Sequence, residues 1–272
     1  MSRRILLIGC GNMGFAMLKG WLSSDAGFDI HVVEPAEPLR IRAREAGASI
    51  SRDRDGIPAD FVPDAIVIAV KPQVIHAVLP DYKVFATGGH PALFLSVAAG
   101  ISTQAIETSV DKDAAVIRCM PNTPAAIGEG MMVCYANRAT TAGQRELAGE
   151  LLRRSGKVAF IDDEGMMDAV TAVSGSGPAY LFHFIEALSQ AGAKAGLPED
   201  FASELALQTV YGAARLAFSS ADTPSTLRQQ VTSPNGTTAA ALDVFMGKSE
   251  LADLVAKAVA AATARSIALG KA

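Results

Sequence analysis

The chain has little that would commit it to nucleic acid, membrane or metal. Its 24 Lys and Arg are outnumbered by 28 Asp and Glu, for a formal net charge of -4. It therefore has no basic excess to attract a phosphate backbone or an anionic lipid surface. The three cysteines, Cys10, Cys119 and Cys134, are an odd set without metal-type spacing. They point to free thiols in a reducing compartment and to no metal site. Long apolar runs are missing too. Ile5 to Ile8, behind Arg3 and Arg4, is shorter than the apolar core of a secretion signal. The longest run, ALFLSVAAGI from Ala92, falls well short of the roughly 20 residues that cross a bilayer. Neither an internal repeat nor a low-complexity segment is visible beyond the alanine bias near the C-terminus. What remains is a small-molecule partner and a cytoplasmic location.

What is present is a large apolar complement, 50% of 272 residues, enough for one large or two smaller cores. Short β-rich runs recur at RRILLIG, IHVVE, AIVIAV, ALFLSV, AAVIRC, MMVCY and KVAFI, with helix-like stretches such as FAMLKGW and TAGQRELAGELLRRS between several of them. Continuously apolar strands are buried on both faces, which predicts a mostly parallel sheet covered by helices, the doubly wound α/β arrangement of Rossmann type. After Ile161 the strand signals stop. The rest reads as all-helical, with apolar stripes at Phe201, Leu205, Thr209, Ala213 and Leu216, and at Leu251, Leu254, Val255, Ala258, Val259 and Ala262. A boundary between Asp162 and Gly165 divides the chain into residues 1–162 and 163–272. The C-terminal stripes hold more apolar surface than a helical part of about 110 residues can hide by itself, so an oligomer is expected.

The motif Gly9-Cys10-Gly11-Asn12-Met13-Gly14 follows the first strand, which ends at Ile8, and opens the first helix. In that context GxGxxG is a dinucleotide fingerprint. Gly9 allows a tight turn, Gly11 lets the backbone approach a diphosphate, Gly14 allows close helix-strand contact, and the helix start supplies amide donors. Glu34, at the end of the second strand, can accept the ribose hydroxyls of NAD and repel a 2′-phosphate, favouring NADH over NADPH. Arg40, Arg42 and Arg44 follow closely enough to bind a phosphate instead. Ligands of open α/β sheets bind at the carboxyl edge, so three further strand ends are candidates for the nicotinamide half. They are Ala69-Val70-Lys71-Pro72, the small residues around Ala98, and Met120-Pro121-Asn122. Lys71 reads equally well as a solvated lysine and as a neighbour of the cofactor.

Two C-terminal stretches are rich in small polar and helix-breaking residues. In SPNGTT, Ser233, Pro234, Asn235 and Gly236 read as a turn into a helix beginning near Thr237, whose amides and dipole suit an anion. Its alternative is an N-cap turn with no ligand. In SGSGPAY, Gly175 and Gly177 interrupt a helical pattern and Pro178 suits a first helical turn, with Ser174 and Ser176 as polar lining, or the stretch is a plain kink.

Taken in order, IGCGNMG, AVKPQ, CMPNTP, VSGSGPAY and SPNGTT run over nearly the whole chain and resemble pyrroline-5-carboxylate reductase. The last two motifs are far less common than the first. The resemblance implies NAD(P)H-dependent reduction of a cyclic imine to proline, an N-terminal Rossmann domain, and an all-helical C-terminal domain that interlocks two subunits, often within larger rings. On that basis Ser233, Asn235, Gly236 and Thr237 would grip the substrate carboxylate, with Gly236 keeping the approach clear. Thr238 would set its hydroxyl beside the ring nitrogen. Many members carry a polar or arginine-containing turn after the second strand that suits NADPH. Glu34-Pro35-Ala36 departs from that pattern.

Neither SPNGTT nor SGSGPAY holds an ionisable side chain. Reducing a ketone requires a general acid, whereas a protonated imine becomes a neutral amine on accepting hydride and needs chiefly positioning and electrostatics. The hydroxyisobutyrate dehydrogenase group has GxGxxxK in the comparable place, where this chain has Leu181. His183 reads as a core histidine. The alternatives are a reductase of another cyclic imine or a small 2-oxo acid, and a sensor that binds NAD(P)H without catalysis.

Overall fold

The computed structural model describes residues 2–23 and 27–270, except for the side chain of Ser249. Eight strands, β1 Arg3–Ile8, β2 Phe28–Val33, β3 Ser49–Ser51, β4 Ala65–Ile68, β5 Leu93–Ser96, β6 Val116–Met120, β7 Gly130–Ala136 and β8 Gly156–Ile161, form one sheet in the order β3-β2-β1-β4-β5-β6-β7-β8. All neighbours run parallel except β6 and β7. The sheet is covered by α1 Asn12–Leu22, α2 Glu37–Glu45, α3 Ile75–Val78, α4 Thr103–Ser109 and α5 Ala142–Arg153. Seven of the strands were legible as apolar runs. β3 is only three residues long and lies in a serine-containing segment, so it has no apolar alternation to detect.

The parallel strands are buried on both faces because their alternate residues serve two separate cores. Ile5 and Leu7 of β1 face one cluster with Met17, Leu18 and Trp21 of α1. Leu6 and Ile8 face the other, with Ile66, Ile68 and Phe94. Each such fully buried side chain contributes about 1.5–3 kcal/mol. A slip of one residue in β1 would exchange the two sets.

Helix α6 Met167–Val170 and a π-helical turn Thr171–Gly175 belong to the same compact unit as the sheet, which comprises residues 1–175 and 262–272. Met167 and Ala172 are buried there. Glu164, just ahead of α6, accepts hydrogen bonds from the backbone N–H and hydroxyl of Thr103 at 2.9 and 2.8 Å and from Arg118 Nη1 at 3.1 Å. An acid is favourable at that spot because Thr103 begins α4.

Residues 176–261 form the second unit, all-helical: α7 Gly177–Lys194, α8 Glu199–Ser219, α9 Pro224–Gln230, α10 Thr237–Met246 and most of α11 Glu250–Gly270. Helices α7 and α8 approach closely where Gly192 meets Ala202, and Ala202 and Ala206 are buried there. Elsewhere the apolar stripes are uncovered. Phe182 is 58% exposed, Phe218 81% and Leu254 65%. His183 is not a core residue. Its side chain is 82% exposed, with Nδ1 3.2 Å from Glu186 Oε2, because among the described residues of this unit none covers that face of α7. Among the described residues no helix is long and apolar enough to cross a membrane.

One buried histidine makes the sheet unit acid-sensitive. His31 on β2 sits between the hydroxyls of Ser49 and Ser51, at 3.2 and 3.0 Å, and against Phe61. Burial holds its imidazole below the ordinary 6.5, and Asp29 opposes this only in part. The unfolded chain therefore binds the extra proton first, and stability present above pH 6.5 is lost as pH falls toward the lower folded value. His31→Gln should flatten the fall in melting temperature between about pH 7 and pH 5 seen by circular dichroism. An unchanged slope would exclude His31 as the cause.

Candidate active site

The strand order reverses at β1, with β2 and β3 on one side and β4 to β6 on the other. Crevices at such reversals are where open α/β sheets take ligands. The carboxyl ends of β1, β2, β4, β5 and β6 all lie on one edge, so the loops after Ile8, Val33, Ile68, Ser96 and Met120 are gathered there.

The glycine loop depends on the absence of side chains at two points. Gly9 has a φ of +86°, and a Cβ on it would lie 2.8 Å from Val70 Cγ1 and 2.9 Å from the Ala69 carbonyl oxygen. At Gly14 a Cβ would collide with the Gly9 carbonyl oxygen. Glycine there lets α1 return against its own entry turn. Gly11 is different: a Cβ built on it meets nothing within 4 Å. It is also the N-cap of α1, with no side chain capping the helix. Open space beside an uncapped helix start fits a diphosphate. Asn12 is exposed, Met13 is half-buried, and Cys10 is buried. Burial pushes the Cys10 thiol up to about 11, so it is no thiolate at neutral pH.

Glu34 follows β2 as expected, yet it is only 6% exposed. Its carboxylate already accepts from the backbone N–H groups of Cys10, at 2.7 Å, and Ala36, at 2.9 Å. Arg40 and Arg42, candidate phosphate ligands in the sequence, donate to backbone carbonyls instead: Arg40 Nη1 to Glu34 and Pro35, Arg42 Nη2 to Cys10 and Gly11. Arg44 is exposed. A side chain from α2 that grips the glycine loop left no sequence signal beyond its charge.

Around this loop Ala69 and Val70 touch Gly9 from the β4 side. Lys71 is exposed and precedes a short 3-10 turn that begins at Pro72. Ala98 and Pro121 are buried, and Met120 is half-buried. Asn122 spends its side chain on the protein. Its Oδ1 accepts from the Met131 N–H at 2.8 Å and its Nδ2 donates to the Ser174 carbonyl at 3.2 Å, so it braces the loop after β6 against the π-helical turn. Burial also raises the Cys119 thiol, which faces Cys134 across β6 and β7.

The SGSGPAY stretch spans a change of helix type. It begins as π-helix, a distortion that recurs at functional positions, and then restarts as α7 with Pro178 in the first turn. Ser174 Oγ is buried there without a hydrogen-bond partner. Ser176 precedes α7 and belongs to the helical unit.

In that unit the Gly236 N–H donates to the Ser233 carbonyl at 3.1 Å, with Pro234 second in the turn and Asn235 third at a φ of +57°. This is a type II arrangement, and asparagine tolerates its left-handed position. Gly236 then caps α10 without a side-chain hydrogen bond, leaving the first amides of that helix for an external acceptor. Beside Gly236 a Cβ would meet the Ser233 hydroxyl oxygen at 2.5 Å. The turn folds the serine hydroxyl back onto the glycine. Ser233, Asn235 and Thr237 are exposed and Thr238 half-buried.

The two glycines of the first loop should separate by experiment. Gly11→Ala should keep the melting temperature within about 2 °C of the parent and lose dinucleotide binding, because its Cβ enters ligand space. Gly14→Ala should destabilise by about 1–3 kcal/mol, because its Cβ enters backbone. Fluorescence titration with NADH and thermal melts check both.

Residues 4–119 match the family model described as NADP oxidoreductase coenzyme F420-dependent, and residues 164–269 match that described as pyrroline-5-carboxylate reductase dimerisation. A pyrroline-5-carboxylate reductase of Pseudomonas aeruginosa is 41% identical over 271 residues, 98% of this chain and 97% of its own. One from Synechocystis is 39% identical over the full length of both. Among solved structures, the enzyme of Coxiella burnetii superposes with a TM-score of 0.92 at 33% identity, covering both chains entirely. That of Plasmodium falciparum, solved with NADP bound, gives 0.81 at 28% identity over 98% of this chain and 99% of its own. With the loop and turn geometry described above, these full-length likenesses establish that the chain belongs to the pyrroline-5-carboxylate reductase family.

Proposed function

We propose that this chain is a cytoplasmic reductase that converts 1-pyrroline-5-carboxylate to L-proline with NAD(P)H, the last step of proline biosynthesis. The observation that carries the assignment is the uncapped start of α10 behind the Ser233–Gly236 turn, in a chain of this family whose glycine loop is also open to a dinucleotide. Residues 1–162 serve the dinucleotide, and residues 163–272 serve the substrate and subunit pairing.

When bound, the reduced nicotinamide supplies the hydride. Gly11, Asn12, Met13 and Gly14 hold the diphosphate through backbone amides and helix dipole, and Ile8, Gly9 and Cys10 shape the turn that presents them. Ala69 to Pro72, Ala98 and Met120 to Asn122 frame the remainder along the same sheet edge. The α10 amides and the hydroxyls of Ser233 and Thr237 take the substrate carboxylate, with Ser174 and Ser176 as further polar lining. Thr238 orients the ring nitrogen through its hydroxyl.

The substrate enters as a protonated imine. Addition of hydride to C5 converts its C=N bond to a C–N single bond and leaves a neutral amine on the nitrogen, which already carries its proton. No side-chain acid is needed in that step, in keeping with a turn built only from Ser, Pro, Asn, Gly and Thr. Glu34 gives a preference for NADH over NADPH, since a carboxylate beside the glycine loop disfavours a 2′-phosphate.

Pairing of subunits accounts for apolar side chains that one chain leaves in water. Phe182 on α7, Phe218 on α8 and Leu254 on α11 are each more than half exposed. Three buried, unpaired thiols suit a reducing cytoplasm.

Loss of absorbance at the NADH band on adding pyrroline-5-carboxylate tests the assignment, and no loss with either coenzyme would end it. A higher kcat/KM with NADPH than with NADH would remove the Glu34 preference. Thr238→Ala should lower turnover by about 10- to 100-fold with NADH affinity retained, consistent with loss of one hydrogen bond to a charged group. Unchanged turnover would take Thr238 out of the mechanism. Light scattering at micromolar concentration should give a dimer or larger, and a monomer would refute the pairing.

A further inference from the structure

One residue of the glycine loop is gripped through its two adjacent peptide groups by side chains of opposite charge. The Cys10 N–H donates to Glu34 Oε2 at 2.7 Å, and the Cys10 carbonyl accepts from Arg42 Nη2 at 2.8 Å. The same nitrogen of Arg42 reaches the Gly11 carbonyl at 3.3 Å. Its guanidinium lies over the Phe15 ring, 4.0 Å from the centroid, and so rests on α1, the helix this loop opens. Glu34 is held in turn, by the Ala36 N–H on Oε1 at 2.9 Å and by Arg40 Nη1 on its carbonyl at 2.9 Å.

Such contacts have an electrostatic consequence for an anion. A loop cradles diphosphate only if its amides face the ligand and its carbonyls face away. Cys10 and Gly11 each carry a carbonyl whose partial negative charge would repel the diphosphate if it rotated inward. Arg42 engages both oxygens with a charge-assisted donor, and Glu34 prevents the Cys10 amide from turning freely. Arg42 cannot turn its Nη2 to a 2′-phosphate without releasing those carbonyls.

We propose that Arg42 and Glu34 form a clamp that presets the glycine loop for diphosphate, with Arg42 a positioning residue acting through the Cys10 and Gly11 carbonyls rather than a ligand of the 2′-phosphate. The clamp rests on the dinucleotide role given above, and it deepens that role by separating how the loop is shaped from how the two coenzymes are told apart. Its loss weakens every coenzyme that carries the diphosphate, with or without a 2′-phosphate.

The experiment is a fluorescence titration of NADH and NADPH against the full chain and the variants Arg42→Ala, Arg42→Lys and Glu34→Gln, with kcat and KM measured alongside. For Arg42→Ala, Kd should rise about tenfold for both coenzymes, as expected for a lost hydrogen bond to a charged group. The defect should appear in KM for coenzyme rather than in kcat, a split that general loss of structure does not produce. Arg42→Lys, which keeps one charged donor, should recover part of the affinity for both. Combining Arg42→Ala with Glu34→Gln should cost less than the product of the single losses, because both fix the backbone on the two sides of one residue, Cys10. A loss confined to NADPH would make Arg42 a 2′-phosphate ligand and overturn the clamp, as would unchanged affinity in variants of a chain that binds both coenzymes. If Arg42→Ala fails to fold, the lysine and Glu34→Gln variants carry the same comparison. An unaltered chain that bound neither coenzyme would overturn the functional assignment, and the clamp with it.

Discussion

The sheet-bearing unit is organised around one close approach, the place where the first helix returns over the turn that precedes it. Gly14 sits against the Gly9 carbonyl and Ala69, and Gly9 sits against Ala69 and Val70, so three chain segments meet with no room for a methyl group. That contact brings the start of α1 to the carboxyl ends of β1 and β4, where the strand order reverses. The surrounding apolar burial gives it rigidity, since alternate residues of β1 lock into cores on opposite faces and the strand cannot slide. An anion site made of backbone amides keeps its geometry only as well as the backbone does.

Two features of the unit extend this constraint outward. Glu34 and Arg42 hold the loop from the β2 and α2 side, and Asn122 ties the loop after β6 to the π-helical turn at Ser174. Polar side chains that sequence patterns mark as candidates for touching a ligand are here occupied with backbone. In a buried polar site unsatisfied groups are costly, so candidate residues are drawn into internal hydrogen bonds wherever the fold offers a partner. The carboxylate of Glu34 illustrates the point, being buried and doubly engaged while it flanks the proposed cofactor loop.

The helical unit follows a different economy. Its helices bury few residues of their own, chiefly Ala202 and Ala206 where α7 and α8 cross. Small residues allow that crossing, and the large apolar side chains are directed outward. The proposed pairing of subunits would cover them and supply the core this unit lacks by itself. The turn at Ser233–Gly236 needs little from that core, because a proline, a left-handed asparagine and a glycine define it locally.

Local chemistry and periodicity were enough to read the strands from β1 to β8 apart from β3, the glycine loop, the turn before α10 and the family motifs. Each rests on residue types whose backbone preferences or burial patterns act within a few positions. Contacts between distant segments left no such trace. His31 reads as part of an apolar strand, and only the fold sets Ser49 and Ser51 beside its ring. His183 reads as a core residue from its apolar neighbours, yet among the described residues of its unit none covers the face it occupies. Arg42 reads as one of three basic residues, and only the close packing of α2 against the glycine loop makes it a donor to two carbonyls. Sequence by itself determined where the chain turns and which residues prefer burial, since these are local free energies. Which polar group meets which was decided by tertiary structure alone, because that depends on loops closing over tens of residues.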